Sequence, residues 1–311
     1  MRRLQWLLLP FIFLGAISAK TQSGTFTTYT ITYQGATRQF SVYLPPKLQA
    51  APVPMVVCLH QTVNAPATSP PLTQCKDTLG WTHYADRYGF TVVMPVSTWN
   101  SAKNGQWFWN AYNLSSLFVN QPAPDDSGFI RTVIQTIMQQ PQTYGLPAID
   151  ANRIFVTGMS SGAYMTHRVG IDSSDLVAAI GPVSGMVWVD TSNLPNAAYP
   201  VSVIEYHGDT DSVVPYCGGV VAAWNVVVPS PSVDADVNYW LAQDGMPINP
   251  TPLCNGTTPS SATYVLNFKT ASTEVVFVRE VNYGHVYDSS LTQALWEFFS
   301  AHSNQLIKQP Q

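Results

Sequence analysis

Charge is the scarcest ingredient of this sequence: of 311 residues, 14 are Lys or Arg and 18 are Asp or Glu. Without a cationic excess no face can follow a phosphate backbone, which excludes nucleic acid as a partner. Long apolar runs are confined to the first residues, and even there the stretch is shorter than the ~20 residues a membrane-spanning helix needs. Cysteine is also sparse, with Cys58, Cys75, Cys217 and Cys254 the complete set. None falls in a C-x-x-C pair and no H-x-x-x-H accompanies them, so no metal site is indicated. Repeats, low-complexity tracts and linkers are missing as well, which leaves no tethered binding module.

Apolar residues, at 46%, suffice for a large core, and a single domain over residues 20–311 is the expectation. Ahead of it, Arg2 and Arg3, the apolar Leu4 to Leu14 and the small residues Ala16-Ile17-Ser18-Ala19 read as an export signal over residues 1–19. A secreted, extracellular protein, free of the membrane after cleavage, meets an oxidising compartment where an even count of cysteines suggests disulfides. Cys217 with Cys254 is the favoured pair, because it would staple a Pro-rich excursion. Cys58 and Cys75 are then left to pair or to remain buried thiols. Asn113-Leu114-Ser115 and Asn255-Gly256-Thr257 are glycosylation sequons.

Thr25 to Tyr33 alternates, and after a turn at Gln34-Gly35-Ala36 the run Gln39 to Leu44 reads as its hairpin partner. Val53 to Leu59 is continuously apolar, as in a strand buried on both faces. Further on, strands are expected at Phe90 to Met94, Ile154 to Thr157, Val177 to Pro182, Val201 to Tyr206 and Glu274 to Val278. Helices are expected at Trp81 to Tyr88, Asp125 to Gln140, Ala163 to Gly170 and Leu291 to His302. That alternation predicts an α/β fold with a mainly parallel sheet covered on both faces. Two stretches break the rhythm, the aromatic Trp99 to Pro124 and the Pro- and Val-rich Cys217 to Ser260, and both read as insertions or lids.

Between a predicted strand and a predicted helix stands Gly158-Met159-Ser160-Ser161-Gly162. A G-x-S-x-G in that setting places its serine on a sharp turn that pushes Oγ out of the sheet. A serine hydroxyl needs a base and an orienting acid, which on such a fold follow in later loops in the order acid, then histidine. His285, beside Gly284 after the last strand, is the candidate base. His60, His83, His167, His207 and His302 read as packing or surface residues. Asp209 and Asp211 share one loop, with Asp190 a distant third, and spacing alone does not choose between the first two. The oxyanion needs preset N–H donors, for which Ser161 and Thr62 are the candidates. Trp107, Trp109 and Tyr112 are candidate walls of an acyl or sugar site, since aromatic faces suit both phenolic acids and sugar rings.

The blocks Pro54 to His60, Trp107 to Asn110, Arg153 to Arg168, His207 to Pro215 and Gly284-His285, with Trp296 to Phe299, resemble secreted carbohydrate esterases of the feruloyl and acetylxylan esterase kind, a family that includes polyhydroxybutyrate depolymerase-like esterases. The resemblance implies an α/β-hydrolase fold, Ser160 as nucleophile, His285 as base and, because the family acid precedes x-x-V-P, Asp211 as acid. It implies no cofactor and an ester substrate carried by a plant polysaccharide or a polyester. Gln61 and Thr62 stand where the family has a Gly and often a Cys, and Gln61 would narrow the leaving-group side. A serine peptidase of the same fold and a non-catalytic adhesion protein on a hydrolase scaffold are the competing readings.

Overall fold

The computed structural model describes residues 24–48, 52–100, 105–111, 123–187, 196–223, 226–249, 252–254 and 263–304. The export signal, Tyr112 and both sequon asparagines, Asn113 and Asn255, lie outside them.

In chain order the elements are β1 (Thr25–Tyr33), β2 (Ala36–Leu44), β3 (Val53–Leu59), β4 (Val63–Asn64), α1 (Gln74–Asp77), α2 (Trp81–Tyr88), β5 (Thr91–Pro95), β6 (Thr98–Asn100), β7 (Gln106–Phe108) and α3 (Asp126–Gln139). There follow β8 (Ile149–Met159), α4 (Ser161–Asp172), β9 (Ala179–Val183), β10 (Ser202–Gly208), β11 (Gly219–Ala223), β12 (Val226–Ser230), α5 (Val233–Gln243), β13 (Thr263–Lys269), β14 (Glu274–Glu280) and α6 (Ser290–Ser300). The main sheet of the described residues has nine strands in the order β1-β2-β5-β3-β8-β9-β10-β14-β13. From β5 to β14 neighbouring strands run parallel. The β1–β2 hairpin, the β2–β5 contact and β13 against β14 are antiparallel.

Alternation along the buried strands splits the core in two. Met55, Val57 and Leu59 of β3 face a cluster with Phe129, Ile130 and Val133 of α3, Met165 and Val169 of α4 and Trp240 of α5. Val56 and Cys58 face the other side, with Trp81 of α2 and Leu295, Trp296 and Phe299 of α6. Helix α3 starts where its sequence proposes: Asp125 is the N-cap and its Oδ1 accepts the Gly128 N–H at 2.9 Å. The hairpin turn at Gln34-Gly35 has positive φ at both residues, 47° and 80°, as a tight two-residue connection between twisted strands requires.

The insertions hold more order than their composition suggests. Within the aromatic stretch, β6 and β7 join β4 in a second, three-stranded sheet. The Pro- and Val-rich stretch folds as β11, β12 and helix α5, whose N-cap Ser232 accepts the Ala235 N–H, and β13 adds an edge to the main sheet. The loops that follow β3, β8, β10 and β14 all leave the carboxyl end of the parallel strands, the end at which open α/β sheets build sites.

Candidate active site

Ser160 caps α4 with φ 56° and ψ −120°, a conformation that is strained for any residue with a side chain. The turn is held by the Ser160 N–H donating to Val183 O at 3.0 Å and by the Ala163 and Tyr164 N–H groups donating to Ser160 O. Its glycines are steric necessities. A Cβ on Gly158 would lie 2.6 Å from the Gly162 carbonyl, and one on Gly162 would collide with the Leu59 carbonyl oxygen. The elbow therefore touches the end of β3, and the positive end of the α4 dipole points at the serine.

The two aspartates of the 209–211 loop part company. Asp211 Oδ2 lies 2.7 Å from His285 Nδ1, while its Oδ1 accepts the Val213 and Val214 N–H groups, both at 2.8 Å. Burial pushes the Asp211 carboxyl up, but the hydrogen bond and charge of His285, the Val214 N–H and His207 together hold it below its ordinary value. Asp209 instead accepts from Arg279 Nη2 at 2.8 Å and Nε at 3.1 Å, and from the Asn282 N–H at 2.7 Å. It pins the loop after β10 to β14. Thr210 adds a second tie, its N–H and hydroxyl both donating to Tyr283 O, two residues before His285.

What the sequence conceals is the work of His60. Its Nε2 accepts the Ser97 N–H at 3.1 Å, so Nδ1 carries the proton and donates to Gln61 O at 2.6 Å. Burial lowers its pKa to about 4, which keeps the ring neutral in that tautomer. Carbonyl and N–H of one trans peptide point opposite ways, so anchoring Gln61 O also aims the Thr62 N–H. The Gln61 N–H is held separately by Gln74 Oε1 at 2.7 Å, and Gln74 precedes Cys75, which is disulfide-bonded to Cys58. The loop from His60 to Thr62 is thus clamped at both ends beside the elbow. Ser161, first residue of α4, has an N–H with no carbonyl one turn earlier to meet it. The hydroxyls of Thr62 and Ser161 are both buried without a partner.

Two expectations need correction. Trp109, proposed as a substrate wall, is 1% exposed; its indole N–H donates to His60 O at 2.8 Å and its ring lies 4.8 Å from the His60 ring. It buttresses the loop from inside. Cys217 and Cys254 lie beside each other but are free thiols, their sulfurs also facing main-chain carbonyls, Cys217 toward Cys254 O and Cys254 toward Tyr216 O. The covalent pair is Cys58 with Cys75. His60, expected as a packing or surface residue, is indeed packed in the interior, and it also holds the Gln61 peptide. Trp107 sits on β7 opposite Val63, the residue after Thr62, with its indole N–H donating to Pro66 O.

Among the described residues, His167, Glu205 and Asp236 bring potential metal-ligand atoms within 4.8 Å of one another. All three are buried. Yet Trp240 donates its indole N–H to His167 Nδ1 at 2.9 Å, which leaves the proton on Nε2, near Gly185 O and Asp236 Oδ2. A protonated Nε2 offers no lone pair to a metal. The donor set fits two carboxyl groups sharing a proton, with Asp236 pushed up to about 7 and Glu205 raised well above its ordinary value, in each case mainly by burial.

A family model described as phospholipase/carboxylesterase matches residues 90–226. The chain is 28% identical over 190 residues to a bifunctional acetylxylan esterase/xylanase of Neocallimastix patriciarum, spanning 59% of this chain and 23% of that protein. It is 29% identical over 143 residues to acetylxylan esterase A of Emericella nidulans, spanning 45% and 40% of the two. It therefore spans less than half the length of these relatives. An acetyl xylan esterase structure from Aspergillus awamori superposes with a TM-score of 0.55 over 88% of this chain and 99% of the other, at 18% identity, a likeness of fold. The serine elbow, the strand order and these likenesses agree on an α/β-hydrolase fold, and over part of its length the chain is similar to acetylxylan esterases.

Proposed function

We propose that the protein is a secreted serine carboxylic-ester hydrolase that works through an acyl-enzyme, with Ser160 as nucleophile, His285 as general base and acid, and Asp211 as the orienting carboxylate. The observation that carries this reading is the 2.7 Å bond between His285 Nδ1 and Asp211 Oδ2. It keeps the imidazole proton on Nδ1 and leaves Nε2 free to take a proton from Ser160. Oγ then attacks the ester carbonyl, and the oxyanion is met by the Ser161 and Thr62 N–H groups at the positive end of α4. One such donor is worth roughly 10²–10³ in rate. His285 returns the proton to the departing alcohol, then activates the water that releases the acid.

The relatives named as acetylxylan esterases favour an acetyl ester on a plant polysaccharide, ahead of a feruloyl ester or a related polyester. With Trp109 withdrawn into the core, the aromatic acyl wall that would favour a feruloyl group loses one of its members. A fluorophosphonate should label the wild type and fail to label Ser160→Ala. Hydrolysis of acetylated xylan and p-nitrophenyl acetate should exceed that of methyl ferulate and a polyester film. A wild type that is never labelled overturns the enzyme reading, and cleavage of amides alone would make the protein a peptidase.

A further inference from the structure

A groove of about 530 Å³ opens beside the small sheet, outside the catalytic loops. Its walls are the β1–β2 turn, the segment Val96 to Trp99, Trp107 and the approach to α3. Trp99 and Trp107 are direct partners across β6 and β7, so both side chains project from the same face of that sheet. Their indole N–H groups are tied to consecutive carbonyls, Trp99 to Ala65 O at 3.0 Å and Trp107 to Pro66 O at 3.2 Å. The rings are therefore fixed before anything binds. Gln34, whose amide donates to Asp125 Oδ2 at 3.4 Å, and Gln39 also line the groove, and so does Ser97, whose hydroxyl is buried without a hydrogen-bond partner.

The chemistry of this lining is specific. Arg38, the cation of the wall, is bound to Asp126 at 2.6 Å, and Asp125 accepts from the Tyr33 hydroxyl and the Gly128 N–H. No uncommitted positive charge is presented, which disfavours an anionic ligand. The half-buried Trp99 indole, backed by the largely buried Trp107, with amides and an orphan hydroxyl around it, suits a molecule with apolar ring faces and a rim of hydroxyl groups. The volume lies within the ~300–1,000 Å³ typical of ligand clefts, room for a short run of sugar rings.

The groove is also wired to the catalytic loops. The Ser97 N–H donates to His60 Nε2, and Trp107 pairs with Val63, which follows Thr62. We infer that this groove is a subsite for a neutral polysaccharide chain, which holds the polymer while one of its esters lies at Ser160. The inference rests on the esterase reading for its catalytic consequence and on the groove alone for binding.

Two measurements separate those parts. Xylohexaose, cellohexaose and mannohexaose are titrated by calorimetry into full-length Ser160→Ala, alone and combined with Trp99→Ala or Ser97→Ala. At least one hexasaccharide should bind, with affinity lowered tenfold or more by Trp99→Ala and several-fold by Ser97→Ala, which deletes only the orphan hydroxyl and serves if the tryptophan variant misfolds. In the Ser160 background, the kcat/KM ratio of acetylated xylan to p-nitrophenyl acetate should fall at least tenfold in Trp99→Ala. Absence of binding by all three sugars, binding indifferent to both substitutions, or equal losses on polymer and small ester would each overturn the subsite. If no ester is hydrolysed but sugar binding follows the substitutions, the subsite stands and the esterase reading fails.

Discussion

Asp209 and Asp211 show what two positions in one loop can hide. Both are acidic, both follow β10, and spacing alone does not say which carboxylate meets His285. The difference comes from Arg279, seventy positions away in sequence, whose guanidinium claims Asp209. Asp211→Asn should lower kcat by about 10⁴-fold, because the amide no longer selects the imidazole tautomer that leaves Nε2 basic. Asp209→Asn should leave kcat within a few-fold and reduce unfolding free energy by about 1–3 kcal/mol, since it strands a largely buried guanidinium and weakens the Asn282 tie. Steady-state kinetics beside urea denaturation of both variants checks the pair. The reverse ranking in kcat would exchange their roles.

At the scale of elements, the strands and helices whose side chains alternate cleanly were legible from the sequence: the hairpin, β3, β8, β10, β14 and helices α2, α3, α4 and α6. The short strands β4, β6 and β7 were not, because two or three residues carry no periodicity and their pairing joins Val63 to Trp107 across a long gap. The strand-turn-helix around Ser160 and the place of His285 in the loop after β14 were legible for the same reason as the strands that carry them. The clamp on the loop from His60 to Thr62 was not, since it is made by the His60 ring, itself held by the Ser97 N–H, and by the Gln74 side chain of α1. That clamp has a measurable consequence. Gln74→Leu leaves the Gln61 N–H without an acceptor, a cost of ~1–3 kcal/mol, and should lower kcat about 10-fold with little change in KM, whereas Gln74→Glu keeps an acceptor and should retain most of the rate. Equal kcat in wild type and Gln74→Leu would show that the loop holds its shape without the clamp.

For the whole molecule, scarcity of charge gives unusual weight to the few buried acids. Glu205 of β10 and Asp236 of α5 meet in the core, with His167 and Tyr164 of α4 and His207 of β10 around them. Burial holds His167 neutral, with a pKa lowered to about 3, so that imidazole brings the pair no offsetting charge. The folded-state pKa of both acids is raised, Asp236 to about 7 and Glu205 upward from its ordinary range. Between the ordinary carboxyl range and about pH 7 the native state therefore binds more protons than the unfolded chain. Stability from the pair is full below that window and is lost as pH rises through it. Glu205→Gln removes one titration while its amide can still donate to the Asp236 carboxylate at any pH. The melting temperature of the variant should fall less than that of the wild type between pH 4.5 and pH 8, with Asp244 and Glu280, raised to about 6 and about 7 by burial, supplying the slope that remains. Parallel curves of melting temperature against pH for the two proteins would mean that Glu205 and Asp236 do not share a proton.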